Sequence, residues 1–94
     1  MKEEFLDYVE DIIKAMDNAL SFVNGMDYDT FIKDTKTVYA VIRALEIIGE
    51  ATKNIPLPVK AHYSQIPWKD MAGMRDKVIP RLFWSRFEKS LEHS

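Results

Sequence analysis

What the chain lacks narrows its chemistry first. It has no cysteine. That excludes a disulfide framework and a thiolate metal site, and it fits a cytoplasmic protein. Histidine is scarce: only His62 and His93 occur, and no carboxylates cluster beside them. Such a pair does not make a ligand set, so neither a metal nor another cofactor is expected. The three glycines form no phosphate-cradling loop and no nucleophile elbow, and the paired histidines of a zinc protease are missing. No apolar run reaches the roughly 18 residues that a membrane span needs. The opening MKEEFLDYVEDIIK is acidic and amphipathic, unlike a secretory leader.

Ninety-four residues make one domain with a modest core. The net charge of −2 hides an asymmetry. Residues 1–34 hold three Lys and nine acidic residues, a balance of −6, whereas residues 35–94 hold ten basic and six acidic residues, a balance of +4. Opposite surfaces of this kind can steer two partners together. The five basic residues between Arg75 and Lys89 also allow nucleic-acid contact without demanding it.

Apolar spacing predicts helices throughout. Residues 2–24 carry the row Phe5, Val9, Ile12, Met16, Ala19, Val23, widened by Leu6, Ile13 and Leu20. That is a broad stripe for burial, with Asn24-Gly25 as its stop. Asp27 is placed to cap a short helix through Phe31 and Ile32, and Asp34 to cap the next. The resulting tight corner sets the first and third helices roughly antiparallel. The third, Thr35 to Asn54, organises the chain: Val38, Val41, Ile42, Leu45 and Ile48 recur at helix spacing. Pro56 and Pro58 end it, and Pro58 can open a short turn of helix through Tyr63. Pro67 starts a further helix, PWKDMAGMRDKVI. Gly73 inside it costs about 1 kcal/mol against alanine, which points to a close helix approach. Pro80 is expected to end that helix and redirect the rest of the chain.

Tyr39, Arg43, Glu46 and Glu50 follow steps of four, three and four along the central helix and share one face. One reading is an ordinary solvated face; the other is a polar seam turned to a partner helix or chain. After Ile79 the tail interleaves aromatic and basic residues: Arg81, Phe83, Trp84, Arg86, Phe87 and Lys89. Stacking and phosphate contact on RNA is one reading. Packing of Leu82, Phe83 and Phe87 on the bundle or on a dimer, with wet basic groups, is a second, and a membrane-surface helix is a third that so short a segment after a proline disfavours.

Two runs in this order, RALEIIGEA (Arg43 to Ala51) and IPWKDMAGMRDKVI (Ile66 to Ile79), resemble the HepT-like proteins, small members of the HEPN superfamily. The resemblance spans about residues 4–79, leaving 80–94 as a divergent or truncated tail. It implies an all-α, up-and-down helical bundle that forms a homodimer. It also implies the toxin of a toxin–antitoxin pair: a metal-independent ribonuclease whose antitoxin is a minimal, MntA-like nucleotidyltransferase that can silence it by adding adenylate to a tyrosine. The family's pattern is arginine, four residues, histidine, one residue, tyrosine. Arg75 matches the arginine and Asp76 its usual polar follower, but the histidine position is Pro80 and the tyrosine position Leu82.

Cleavage without a metal needs a base for the 2′-hydroxyl and an acid for the leaving oxygen. Imidazole can do either near neutral pH; proline can do neither. Arg75 can still grip a phosphate through two parallel hydrogen bonds. The expected outcome is a retained binding frame with impaired catalysis, or an inert dimeric helical protein that still binds its nucleotidyltransferase. Arg75 and Asp76 are the candidate site, Lys77, Arg81 and Arg86 the nucleic-acid candidates, and Arg43, Glu46 or Glu50 the groups expected to meet Arg75.

Overall fold

A computed structural model describes residues 4–92, and those residues form an all-α bundle. The six helices are α1 (Glu4–Phe22), α2 (Tyr28–Lys33), α3 (Thr35–Lys53), α4 (Leu57–His62), α5 (Trp68–Ala72) and α6 (Met74–Glu92). The expected start at residue 2 and His93 lie outside the described residues.

Both caps form as the spacing predicts. An Asp27 carboxylate oxygen accepts from the Thr30 amide at 2.8 Å, and Asp34 accepts from the Thr37 amide at 3.0 Å. Each satisfies an amide that the first helical turn leaves without a partner. Gly25 takes a φ of 80° after α1, a left-handed geometry that glycine adopts without Cβ strain. The chain then doubles back. Tyr8 near the start of α1 lies by Asn54 at the end of α3, and Val23 packs near Val38, so α1 and α3 run antiparallel.

α3 is the axis of two buried clusters. Its C-terminal half joins Ala44, Ile48 and Ala51 to Ile12 and Ala15 of α1, Met71 of α5, and Ile55. Its N-terminal half joins Val38 and Val41 to Phe31 and Ile32 of α2 and Leu82 of α6. Thr52 is fully buried, and its hydroxyl donates to the Ile48 carbonyl at 2.6 Å, so that hydroxyl is not stranded.

Three expectations change. The helix begun near Pro67 does not run through Gly73. It breaks there into α5 and α6, with the Gly73 carbonyl accepting from the Asp76 and Lys77 amides. A Cβ on Gly73 would sit 3.3 Å from the Lys69 carbonyl oxygen, so the crowding is with its own preceding turn. The close helix approach is instead at Gly49, where a Cβ would sit 3.4 Å from the Ala72 carbonyl oxygen. Second, Pro80 does not end the helix: α6 runs through it to Glu92. Pro80 is on the solvent side, where the carbonyl that loses its amide partner can bond water, while Ile79 and Leu82 on the other side are buried. Third, the α1 stripe is not buried across its width. Ile12 and Ala15 are in the core, whereas Leu6, Ile13, Met16 and Leu20 are exposed.

Candidate functional site

The polar row of α3 ends up beside the start of α6. Because Gly49 lets the end of α5 lie close against α3, the first turn of α6 is delivered next to Glu46 and Glu50. Arg43, Glu46, Gly49, Glu50, Lys53, Ala72 and Arg75 line a cleft of about 170 Å³. A second cleft of about 220 Å³ lies on the α1 side of the same ridge, where Arg43, Glu46 and Glu50 meet Tyr8, Asp11 and Asn54. The Glu46–Glu50 ridge therefore separates two clefts.

Within the first cleft Arg43 pairs with Glu46 at 3.7 Å, with both side chains partly solvated. Such a pair orients side chains more than it stabilises the fold. Among the described residues Arg75 has no ion-pair partner. Its exposed guanidinium shares the cleft with the cations of Arg43 and Lys53 and the carboxylates of Glu46 and Glu50. Three cations around one small concavity suit an anion, and the free guanidinium offers paired N–H donors that match phosphate oxygens.

The remaining candidates are elsewhere. Tyr39 is exposed on α3 and lines neither cleft. Asp76 and Lys77 are exposed on the turn after Arg75. Arg81 lines a shallow concavity with Pro80, Trp84 and Ser85. Arg86 is committed to the bundle: it donates to the Ile32 carbonyl at 2.7 Å and to the Thr35 hydroxyl at 2.8 Å. Lys89 bridges to Asp29 at 3.0 Å, and that carboxylate holds its ammonium pKa above the ordinary lysine value. Of the tail residues expected to pack, Leu82 is buried, but Phe83 and Phe87 are exposed.

His62 lies edge-on to Tyr63, ring centroids 4.7 Å apart, and neither reaches the Arg75 cleft. Among the described residues no three His, Asp or Glu side chains converge as metal ligands, and no helix is long and apolar enough to cross a membrane. The residues that sequence reasoning missed are Lys53 and Gly49. Lys53 sits seven residues beyond Glu46, two helical turns along the same face, so the spacing did contain that signal.

Comparison with known proteins adds the family. Residues 12–81 match the family described as Ribonuclease HepT-like. A protein of Thermococcus cleftensis named as a probable ribonuclease HepT is 49% identical over 83 residues, covering 88% of this chain and 76% of that protein. A Methanocaldococcus jannaschii protein whose name carries a provisional RNase assignment is 45% identical over 87 residues, covering 93% and 72%. A similarly named protein of Caldanaerobacter subterraneus is 42% identical over 76 residues, covering 81% and 68%. No solved structure matches the chain.

Proposed function

The chain belongs to the HepT-like ribonuclease family, and from that premise we propose that it is the toxin component of a toxin–antitoxin pair, an RNA-binding homodimer with a nucleotidyltransferase as antitoxin and with little or no cleavage activity of its own. The observation that carries the RNA part is Arg75, unpaired and exposed at a cleft shared with Arg43 and Lys53. An RNA phosphate fits the paired donors of Arg75. Glu46 and Glu50 keep the cleft from being uniformly basic, so the grip is local to Arg75 and its neighbours.

Catalysis needs more than a grip. Arginine stays protonated and is no practical base. Pro80 has no proton to exchange. Leu82 is buried against Phe31, Ile32, Val38 and Val41, so the position matching the adenylate-accepting tyrosine faces the interior of the bundle. These two positions favour a second reading, a catalytically inert dimer that retains its antitoxin contact.

The test incubates the purified protein with single-stranded RNA, with and without divalent metal, beside an Arg75→Ala control. The expected result is RNA binding that weakens in the variant, with cleavage absent or about 10²–10⁴-fold below that of an enzyme with an intact general acid–base group. Efficient cleavage that disappears with Arg75→Ala would instead make this cleft a working active site. Co-purification with a nucleotidyltransferase, sought among the genes adjoining this one, tests the partner.

A further inference from the structure

The second cleft, between α1 and α3, differs in chemistry from the one that Arg75 lines. Ile47 and buried Ala51 give it an apolar floor. Tyr8 gives it an aromatic wall: the half-buried ring packs against the core and also lines the cleft. The rim is polar and mostly unused. Arg43 is taken by Glu46 at 3.7 Å. Asp11 and Glu50 are exposed and have no ion-pair partner among the described residues. The Asn54 side-chain amide donates to the Glu50 carbonyl at 3.0 Å, which leaves its oxygen as one more acceptor. The slot is therefore rich in acceptors and poor in donors. At about 220 Å³ it is smaller than the roughly 300–1,000 Å³ of sites for drug-sized ligands, a size for one heterocycle.

We propose that this slot is a base-reading subsite that takes an unstacked guanine of single-stranded RNA, its face on Tyr8 and its donor edge on the carboxylates of Asp11 and Glu50. A phosphate does not suit it, because three carboxylates stand against one arginine. A metal ion does not either, since no three acidic or histidine side chains converge among the described residues. A neutral planar group with neighbouring N–H donors does. Guanine alone among the four bases carries two such donors on one edge, the ring N1–H and the N2 amine, and they match the two oxygens of a carboxylate. Adenine and cytosine offer one amine each, and uracil one ring N–H. Aromatic stacking joined to hydrogen bonds along a base edge is how single-stranded RNA is read. The inference rests on the RNA reading proposed above and adds which base the strand must present. The two clefts flank one row of α3, and a helix with its side chains is about 10–12 Å across. A strand gripped at Arg75 can therefore lay a base in the slot one or two nucleotides on.

The test measures binding of the full-length protein, by fluorescence anisotropy, to short oligouridine strands that carry one central guanine, inosine, adenine or uracil. Inosine differs from guanosine only in lacking the N2 amine. The guanine strand is expected to bind about tenfold more tightly than the inosine strand. Asp11→Asn with Glu50→Gln should bring those two strands to equal affinity. Their ratio is the readout, because losing two negative charges strengthens binding of every strand alike. Tyr8→Leu, which keeps an apolar side chain against the core, should weaken the guanine strand by about tenfold. Equal binding of the guanine and inosine strands that still weakens with Arg75→Ala overturns the slot and leaves the Arg75 grip standing. A guanine preference that survives the double substitution overturns the slot as well. A preference that the double substitution removes but Arg75→Ala leaves untouched upholds the slot and removes the grip. No binding to any strand removes both.

Discussion

The two halves of α3 show how one helix can seal a core at one end and hold a site open at the other. Its N-terminal half presents branched side chains, Val38 and Val41, to Phe31, Ile32 and Leu82, and that face closes completely. Its C-terminal half is buried as well, through Ala44, Ile48, Gly49, Ala51 and Thr52, but most of these residues are small. Small residues bring neighbouring backbones close, and they leave the long polar side chains of the adjacent row standing at the edge with clefts on both sides. Both halves are buried; the small residues of the second, Gly49 above all, decide where α5 and α6 are aimed.

The sharpest way to break that comparison is to hollow out the sealed end. Ile32 is 1% exposed, so Ile32→Ala should destabilise by about 2–5 kcal/mol, read from urea denaturation. Below its unfolding midpoint the variant should still bind RNA through Arg75, because the cleft lies at the other end of α3. Lost binding in a still-folded variant would show that the two ends are coupled.

The complementary change is at the open end. Gly49→Leu must displace the α5 backbone, for a loss of about 1–3 kcal/mol. It should also move Arg75 away from Glu46 and Glu50 and weaken RNA binding. Gly49→Ala is the milder control, because its Cβ would be in ordinary contact with the Ala72 carbonyl oxygen at 3.4 Å. Equal binding by the glycine, alanine and leucine forms would mean that close approach does not aim the site.

Much of this contrast was readable in the residues. The α3 spacing, both aspartate caps and the positive φ of Gly25 are local effects, and local chemistry specifies them. The polar row of Tyr39, Arg43, Glu46 and Glu50 was also visible, and a solvated face or a seam were the two readings open to it; Arg43, Glu46 and Glu50 line the cleft that Arg75 also lines, whereas Tyr39 stays on the exposed face. What could not be read were tertiary choices. Glycine at 73 and proline at 80 both oppose helix, yet the chain breaks only at the first. Proline in a helix interior costs about 3 kcal/mol. Here it sits on the solvent side, while Ile79 and Leu82 bury the inner face and Arg86 and Lys89 tie the next turns to α2. The exposed half of the α1 stripe was hidden for a related reason: an apolar pattern states which side is greasy, not how many neighbours are present to cover it.

The tie that carries α6 past Pro80 offers a third test, more local in its reach. Arg86→Ala removes the donors to the Ile32 carbonyl and the Thr35 hydroxyl. An expected loss of about 1–3 kcal/mol should appear first as faster hydrogen exchange in the amides after Pro80, with α1 and α3 unaffected. Uniform acceleration would mean that the tail is not held separately from the core.

The smallest effect is in pH, and it separates the capped corner from the tail contact. The Thr30 and Thr37 amides stabilise the ionised carboxylates of Asp27 and Asp34, so both pKa values fall below the ordinary aspartate value. The unfolded chain therefore binds protons more readily than the folded one as pH falls toward and below 3.8. Their contribution is complete above that value and is lost as pH drops through the lower folded values. Lys89 runs the other way. Asp29 raises its pKa above 10.5, so its contribution is complete below 10.5 and is lost as pH climbs through the folded value. Asparagine keeps a cap acceptor but cannot titrate there. A chain with Asp27→Asn and Asp34→Asn should therefore keep its midpoint at neutral pH and show a shallower loss in acid, with the alkaline limb unchanged. Lys89→Met should flatten only the alkaline limb. An acid limb as steep in the double asparagine variant as in the parent would show that this corner does not carry the acid sensitivity.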